Sequence, residues 1–212
     1  MNKMKTLAPA LALAIFDTGA LAQAPVLEEV IVTATKRAES LQDIPVTVNA
    51  VTADTLQDAG VVDLADVAQL VPALTTTTNL SPFATGIRIR GIGTSQNTIA
   101  LEASVAFVVD GVYLGRSGLG MSDLTDIERV EVLQGPQGTL YGKNSNAGVV
   151  SVVTKKPNAE EAEGYVEATV GDYALQQYTA SATGPITDTL AYLVAGNWRE
   201  QDGWLKNGSG GS

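Results

Sequence analysis

Residues 127–157 read IERVEVLQGPQGTLYGKNSNAGVVSVVTKKP. A β-branched run leads into a loop carrying Gly135, Gly138, Gly142 and a Gly-Lys pair, and a second β-branched run ends at Pro157. Such a loop invites a phosphate-binding reading. A P-loop spaces Gly, four residues, then Gly-Lys-Ser/Thr, so that backbone N–H groups wrap phosphate oxygens while the hydroxyl holds magnesium. Counting back from Gly142, the first glycine would fall at position 137, which is Gln137, and Asn144 stands where Ser or Thr is required. A P-loop also opens a helix, whereas NAGVVSVVTKKP has the composition of a strand. The stretch therefore reads as strand, glycine-rich turn, strand, with no nucleotide role.

Upstream, SDLTDIERVEVLQG predicts a capped helical turn entering the first of these strands. VAFVVDGVYLG predicts a hairpin about Asp110-Gly111, and GIRIRG a strand with Arg88 and Arg90 on one side. DLADVAQLVP reads as a helix capped by Asp63, with Leu64, Val67, Ala68 and Val71 on one face and Pro72 as its stop. TADTLQDAG reads as another helix, N-capped by Thr52 with Gly60 beyond its end, and PVTVNAV as a short strand. Together these predict a compact α+β region with a mixed sheet and short helices.

Further upstream, LEEVIVTATKR is extended, with Val30, Val32 and Ala34 on one side and Ile31, Thr33 and Thr35 on the other. Nothing within hairpin reach pairs with it, and AESLQD reads as a polar linker. The segment is expected to be a tethered, unpaired strand that needs a partner's sheet edge. Downstream of Glu163 the pattern becomes plain alternation. GYVEATVG sets Val166, Ala168 and Val170 against Glu167 and Thr169; QQYTASATG sets Tyr178, Ala180 and Ala182 against Gln177, Thr179 and Ser181; TLAYLVAGNW alternates more loosely. Strands of roughly ten residues with aromatics near their ends suit a transmembrane barrel. Alternation alone suits a soluble β-meander with one wet face equally well.

The N-terminus has Lys3 and Lys5, an apolar run from Leu7 to Phe16 marred only by the following Asp17, and Ala22-Gln23-Ala24 as a small-x-small cleavage site. This predicts a secretory signal peptide over residues 1–24. Its removal takes away two Lys and one Asp and moves the formal charge from -10 to -11, which disfavours nucleic acid and anionic lipid as partners. With neither Cys nor His, disulfides, thiol nucleophiles, imidazole bases and the usual zinc ligand sets are excluded. No metal, no cofactor and no catalytic constellation is expected.

Taken in order, the motifs resemble the N-terminal part of TonB-dependent outer-membrane receptors, above all the iron-complex group. EEVIVTA resembles the TonB box; IRIRG, VVDGVYLG and IERVEVLQGPQGTLYGKNSNAGVVSVVTKKP resemble the plug; the alternating tail resembles the first barrel strands. The resemblance implies a signal peptide over 1–24, box and linker over 25–39, plug over 40–158, and the opening strands of an incomplete transmembrane β-barrel over 159–212. Glu28, Glu29, Val30, Ile31, Val32, Thr33 and Ala34 would bind TonB on the periplasmic face. Arg88, Arg90, Arg129 and Glu131 would contact the barrel interior, although solvated strand charge accounts for them as well. Gly91, Gly111, Gly135, Gly138, Gly142 and Gly148 would be turn and close-approach positions. The implied function is active transport across the outer membrane, with a ferric siderophore as the expected cargo. Cobalamin or carbohydrate uptake by the same machinery is one alternative, and a soluble periplasmic binding module is another. Such a barrel has about twenty-two strands, and only 54 residues follow Asn158, so the chain is expected to be a fragment. With the box following the predicted cleavage site almost at once, the separate N-terminal signalling domain that some relatives carry is not expected.

Overall fold

The computed structural model describes residues 30–33, 36–61, 63–77, 86–94, 101–115 and 126–203. The predicted signal peptide, Glu28, Glu29, Ala34 and the capped turn preceding Asp126 lie outside the described residues. The chain runs through β1 (Ile31–Val32), β2 (Glu39–Ser40), β3 (Val48–Thr52), α1 (Ala53–Asp58), α2 (Leu64–Leu70), β4 (Leu74–Thr77) and β5 (Gly86–Ile89). It continues through β6 (Val105–Val109), β7 (Val112–Leu114), β8 (Ile127–Gln134), α3 (Gly138–Tyr141) and β9 (Gly148–Thr154). The strands β10 (Glu163–Gly171), β11 (Leu175–Thr187) and β12 (Leu190–Glu200) close the sequence of elements.

Five strands form a mixed sheet in the order β3-β8-β9-β6-β7, in which β6 and β9 run parallel and the other neighbours antiparallel. Alternation in β8 sends Val130 and Val132 to one face, where they meet Phe107, Val150, Val152 and the helical residues Leu64 and Val67. The opposite face carries Leu133, which packs with Val149, Ala106, Val108, Ile44 and Val32. A sheet covered on both faces needs apolar side chains on both, which is why its strands read as nearly unbroken Val/Ile runs.

The short elements follow local chemistry. Asp63 Oδ1 accepts from Asp66 N at 3.0 Å while Asp66 Oδ2 accepts from Asp63 N at 3.3 Å, a reciprocal cap that starts α2. Asp110 and Gly111 both take positive φ, 47° and 82°, the geometry that joins two twisted strands through a two-residue turn. Gly148 has φ 148°, and a Cβ there would collide with the Leu133 carbonyl oxygen and the Ile89 side chain. Gly148 thus lets the start of β9 approach the backbone of β8 more closely than a side chain would allow.

Three expectations are corrected. The N-terminal strand is not unpaired: Ile31 pairs with Ser40 and Val32 with Glu39, so the supposed polar linker supplies its partner. GIRIRG does not continue as a strand to Arg90, which sits at φ 53° in a turn with its N–H donating to Ala73 O at 2.8 Å. The strand expected over QQYTASATG does not end at Gly184: β11 continues through Pro185, Ile186 and Thr187, and its pairing with β12 shifts register between Pro185 and Thr187. Strand β4, paired with β5, and the single-turn α3 were not anticipated.

The last three strands form their own antiparallel sheet, β10-β11-β12. Its register aligns Val166 with Ala180 and Gly196, Ala168 with Tyr178 and Trp198, and Ala182 with Val194. That face is apolar and exposed, with Val166 82%, Val170 78% and Val194 67% accessible. The other face carries Glu167, Gln177, Thr179, Ser181, Asn197 and Arg199.

Candidate functional site

The N-terminal segment docks on the polar interruption of an otherwise apolar sheet face. Val32 is fully buried against Ile44, Ala106, Val108, Leu133 and Val149, while its neighbour Ile31 is 52% exposed. Next in sequence, Thr33 donates its N–H to Glu131 Oε1 at 2.8 Å, and its Oγ1 lies 3.2 Å from the same oxygen. Glu131 stands two residues before Leu133 on the same face of β8 and is itself fully buried. Arg129, two residues earlier, donates from Nε to Glu131 Oε1 at 2.7 Å and from Nη2 to Thr33 Oγ1 at 3.3 Å, and its Nη1 pairs with Glu128. Three donors thus converge on one carboxylate oxygen, and Oε2 has no hydrogen-bond partner among the described residues.

The chain leaves this site through a tight turn. Lys36 donates its N–H to Thr33 O at 2.8 Å, and its ammonium lies 5.2 Å from the centre of the Tyr141 ring. Burial, followed by the nearby Glu131 charge, pushes the Tyr141 phenol up to about 12. Tyr141 therefore stays neutral and packs against the cluster that holds Val32.

A second polar site lies where the five-stranded core meets the three-stranded sheet. Asp126 Oδ2 accepts from Ser181 Oγ at 2.6 Å, and Lys155 Nζ lies 3.8 Å from Asp126 Oδ1 and 5.4 Å from the Tyr165 ring centre. Asn158 N donates to Thr183 Oγ1 at 2.8 Å. These groups border a cleft of about 400 Å³. Ser181 and Thr183 occupy the polar face of β11, so that face is turned to the core and the apolar face is turned away.

The predicted site residues are distributed unevenly over this geometry. At the first site Thr33 meets Arg129 and Glu131 while Val30 and Val32 pack on the neighbouring apolar cluster, an association that sequence reading missed because 98 positions separate Thr33 from Glu131. Arg88 and Arg90 are exposed and lie outside both sites. Gly91, Gly111, Gly135 and Gly142 occupy turns at positive φ, whereas Gly138 opens α3 with ordinary helical geometry. Asp126, Lys155 and Asn158 were not singled out; the change of pattern after Pro157 was the only sign of a junction there. In the glycine-rich loop, Lys143 Nζ pairs with Glu102 Oε1 at 2.8 Å, and this hydrogen bond raises the lysine pKa. The loop's helix precedes the Gly-Lys pair, the reverse of a P-loop.

Comparison with known proteins places these features in a family. Residues 40–149 match the model of the TonB-dependent receptor plug domain. The chain is 33% identical over 165 residues to the pesticin receptor of Yersinia pestis, an alignment covering 76% of the chain and 24% of that protein. It is 28% identical over 183 residues to a vitamin B12 transporter of Vibrio vulnificus, covering 84% and 28% respectively. Among solved structures, it is similar to the ferric yersiniabactin uptake receptor of Yersinia pestis, with a TM-score of 0.65 at 31% identity, covering 74% of the chain and 24% of that structure. The chain spans about a quarter of the length of the curated relatives it matches.

Proposed function

We propose, on the premise that this chain belongs to the TonB-dependent receptor family through its plug domain, that it forms the gate and the first wall strands of an outer-membrane active transporter. The observation that carries this reading is the orientation of β10–β12. A soluble meander would bury its apolar row and wet its polar one. Here the polar row faces the plug core and the apolar row faces outward, as a strand must when one side meets lipid and the other a filled lumen. Export through the predicted signal peptide would deliver the protein to the outer membrane.

The cargo we propose is a ferric siderophore, supported by the likeness to the pesticin and ferric yersiniabactin receptors at 33% and 31% identity. The likeness to a vitamin B12 transporter favours cobalamin as a second reading. Growth of a deletion strain under iron limitation, against growth where vitamin B12 is the scarce nutrient, separates the two. No catalytic step by this chain is required.

Energy would enter through Glu28 to Ala34, which would add a strand to the exposed sheet edge of TonB, with backbone hydrogen bonds supplying most of the strength. Because Ile31 and Val32 already pair with β2, this exchange replaces an internal partner with an external one. Proline at either position removes a ladder donor and fixes φ. In cells carrying the complete gene product, Ile31→Pro and Val32→Pro are expected to keep surface binding of labelled cargo and lose its energy-dependent accumulation. Normal accumulation in either variant would overturn the strand-addition mechanism. Arg88 and Arg90, exposed on the plug, are proposed as charges that meet the interior of the complete barrel.

A further inference from the structure

We infer that Glu131 is the catch that holds the N-terminal segment on the plug, acting as a positioning residue for residues 30–33. The inference rests on the transport reading for its purpose, since only that reading requires the segment to leave. Its physical content stands on the site alone.

Glu131 pairs with Ala50 of β3 and Ser151 of β9, a fully buried position on the Leu133 face of the sheet, where an apolar side chain would fill the space without a desolvation cost. A carboxylate there must be compensated, and most of the compensation comes from the N-terminal segment: Thr33 supplies two of the three approaches to Oε1, and Arg129 supplies the third while also reaching Thr33 Oγ1. Among the described residues, removing Thr33 leaves Glu131 with Arg129 alone. The arrangement therefore favours the docked segment by charge-assisted hydrogen bonds with defined geometry. It does not lock the segment. Once residues 30–33 depart, water can reach the carboxylate and the orphaned Oε2 and replace the lost bonds, so the undocked state is not penalised as a permanently buried charge would be. An apolar contact such as Val32 supplies adhesion without register; Glu131 fixes which residue of the segment is held, because Thr33 presents both a backbone N–H and a hydroxyl to the same oxygen.

The chain has no cysteine, so a single introduced thiol reports local opening cleanly. In the complete gene product purified in detergent, with any other cysteine replaced by serine, Val32→Cys places a thiol at a fully buried position of the docked segment. Val67→Cys places one in the separate cluster around α2. Maleimide labelling should be slow at both. Adding Glu131→Ala should accelerate labelling at position 32 by roughly tenfold or more, the scale of a lost hydrogen bond to a charged group, and leave position 67 protected. Glu131→Gln, which keeps the shape but not the charge, should give an intermediate rate. Thr33→Val should also raise the rate at position 32, and combined with Glu131→Ala it should add little, because both changes remove one contact.

Unchanged labelling at position 32 in Glu131→Ala overturns the inference. So does equal acceleration at both positions in Glu131→Gln and Thr33→Val, which would mean general loosening of the core. If Glu131→Ala unfolds the plug, those two milder variants decide alone. The readout involves neither cargo nor TonB, so a failure of the uptake experiment would count against the transport reading and leave the catch standing.

Discussion

Single side chains tie the N-terminal segment to the core through charge as well as contact, and Tyr141 exposes that coupling to measurement. Its phenol is pushed up to about 12 from an ordinary 10, first by burial and second by the Glu131 carboxylate. A phenol with a raised pKa stabilises the fold in its neutral form. That contribution is complete below pH 10, where the unfolded phenol is also protonated, and is lost as pH rises toward 12. Tyr141→Phe cannot ionise and should lack this component of alkaline destabilisation. The difference in tyrosinate absorbance between parent and variant should show a transition near pH 12; a midpoint at 10 would place the ring in water. Loss of the Glu131 charge should lower the midpoint, since that charge is one of its two causes.

Elements differ in how far local sequence alone accounts for them. Helix α2 has only seven residues, too few to persist on propensity, so its start depends on the reciprocal Asp63–Asp66 bonds and its persistence on Leu64 and Val67. Asp63→Ala should cost about 1 kcal/mol in urea unfolding, and a change within error would mean that packing alone fixes the helix. The Asp63 cap was legible, as were the Asp110-Gly111 hairpin and the β-branched strands β8 and β9, because each is written in residues adjacent in sequence; Thr52 stands at the N-cap of α1 as expected but makes no capping bond with its side chain. The site was legible only in its parts. Strand β1 was legible as an extended segment, but β2 has two residues with no periodicity to mark it as the partner, and Val32 and Thr33 dock on residues distant in sequence. Strand β4 is hidden in a threonine run whose β-propensity has no alternating apolar face to mark it. The junction formed by Asp126, Lys155 and Asn158 depends on which face of β11 turns inward, and alternation states that two faces exist without stating which one is covered.

At the scale of the whole molecule the question is where the cooperative unit begins. The family match starts at residue 40, which would leave the N-terminal segment as an appendage. Packing argues for an earlier start, because Val32 is as buried as any residue of the sheet and joins a cluster drawn from β6, β8 and β9. Burying a valine side chain stabilises by about 2 kcal/mol, while the Thr33 bonds to Glu131 add less, since water replaces them when the segment is absent. A plug spanning 30–158 should therefore unfold at higher urea than one spanning 40–158, by a free energy of about 2 kcal/mol. Both should retain a single transition, because the cluster around Leu64, Phe107 and Val150 does not involve the segment. Coincident curves would show that β1 rests on the plug without contributing to it. A second, separate transition in the longer species would show that the segment melts on its own. The expected result, one transition shifted as a whole, is also the condition under which force on the segment is felt by the core, because a strand that shares the core's cooperativity cannot be drawn away without drawing on the stability of the sheet beneath it.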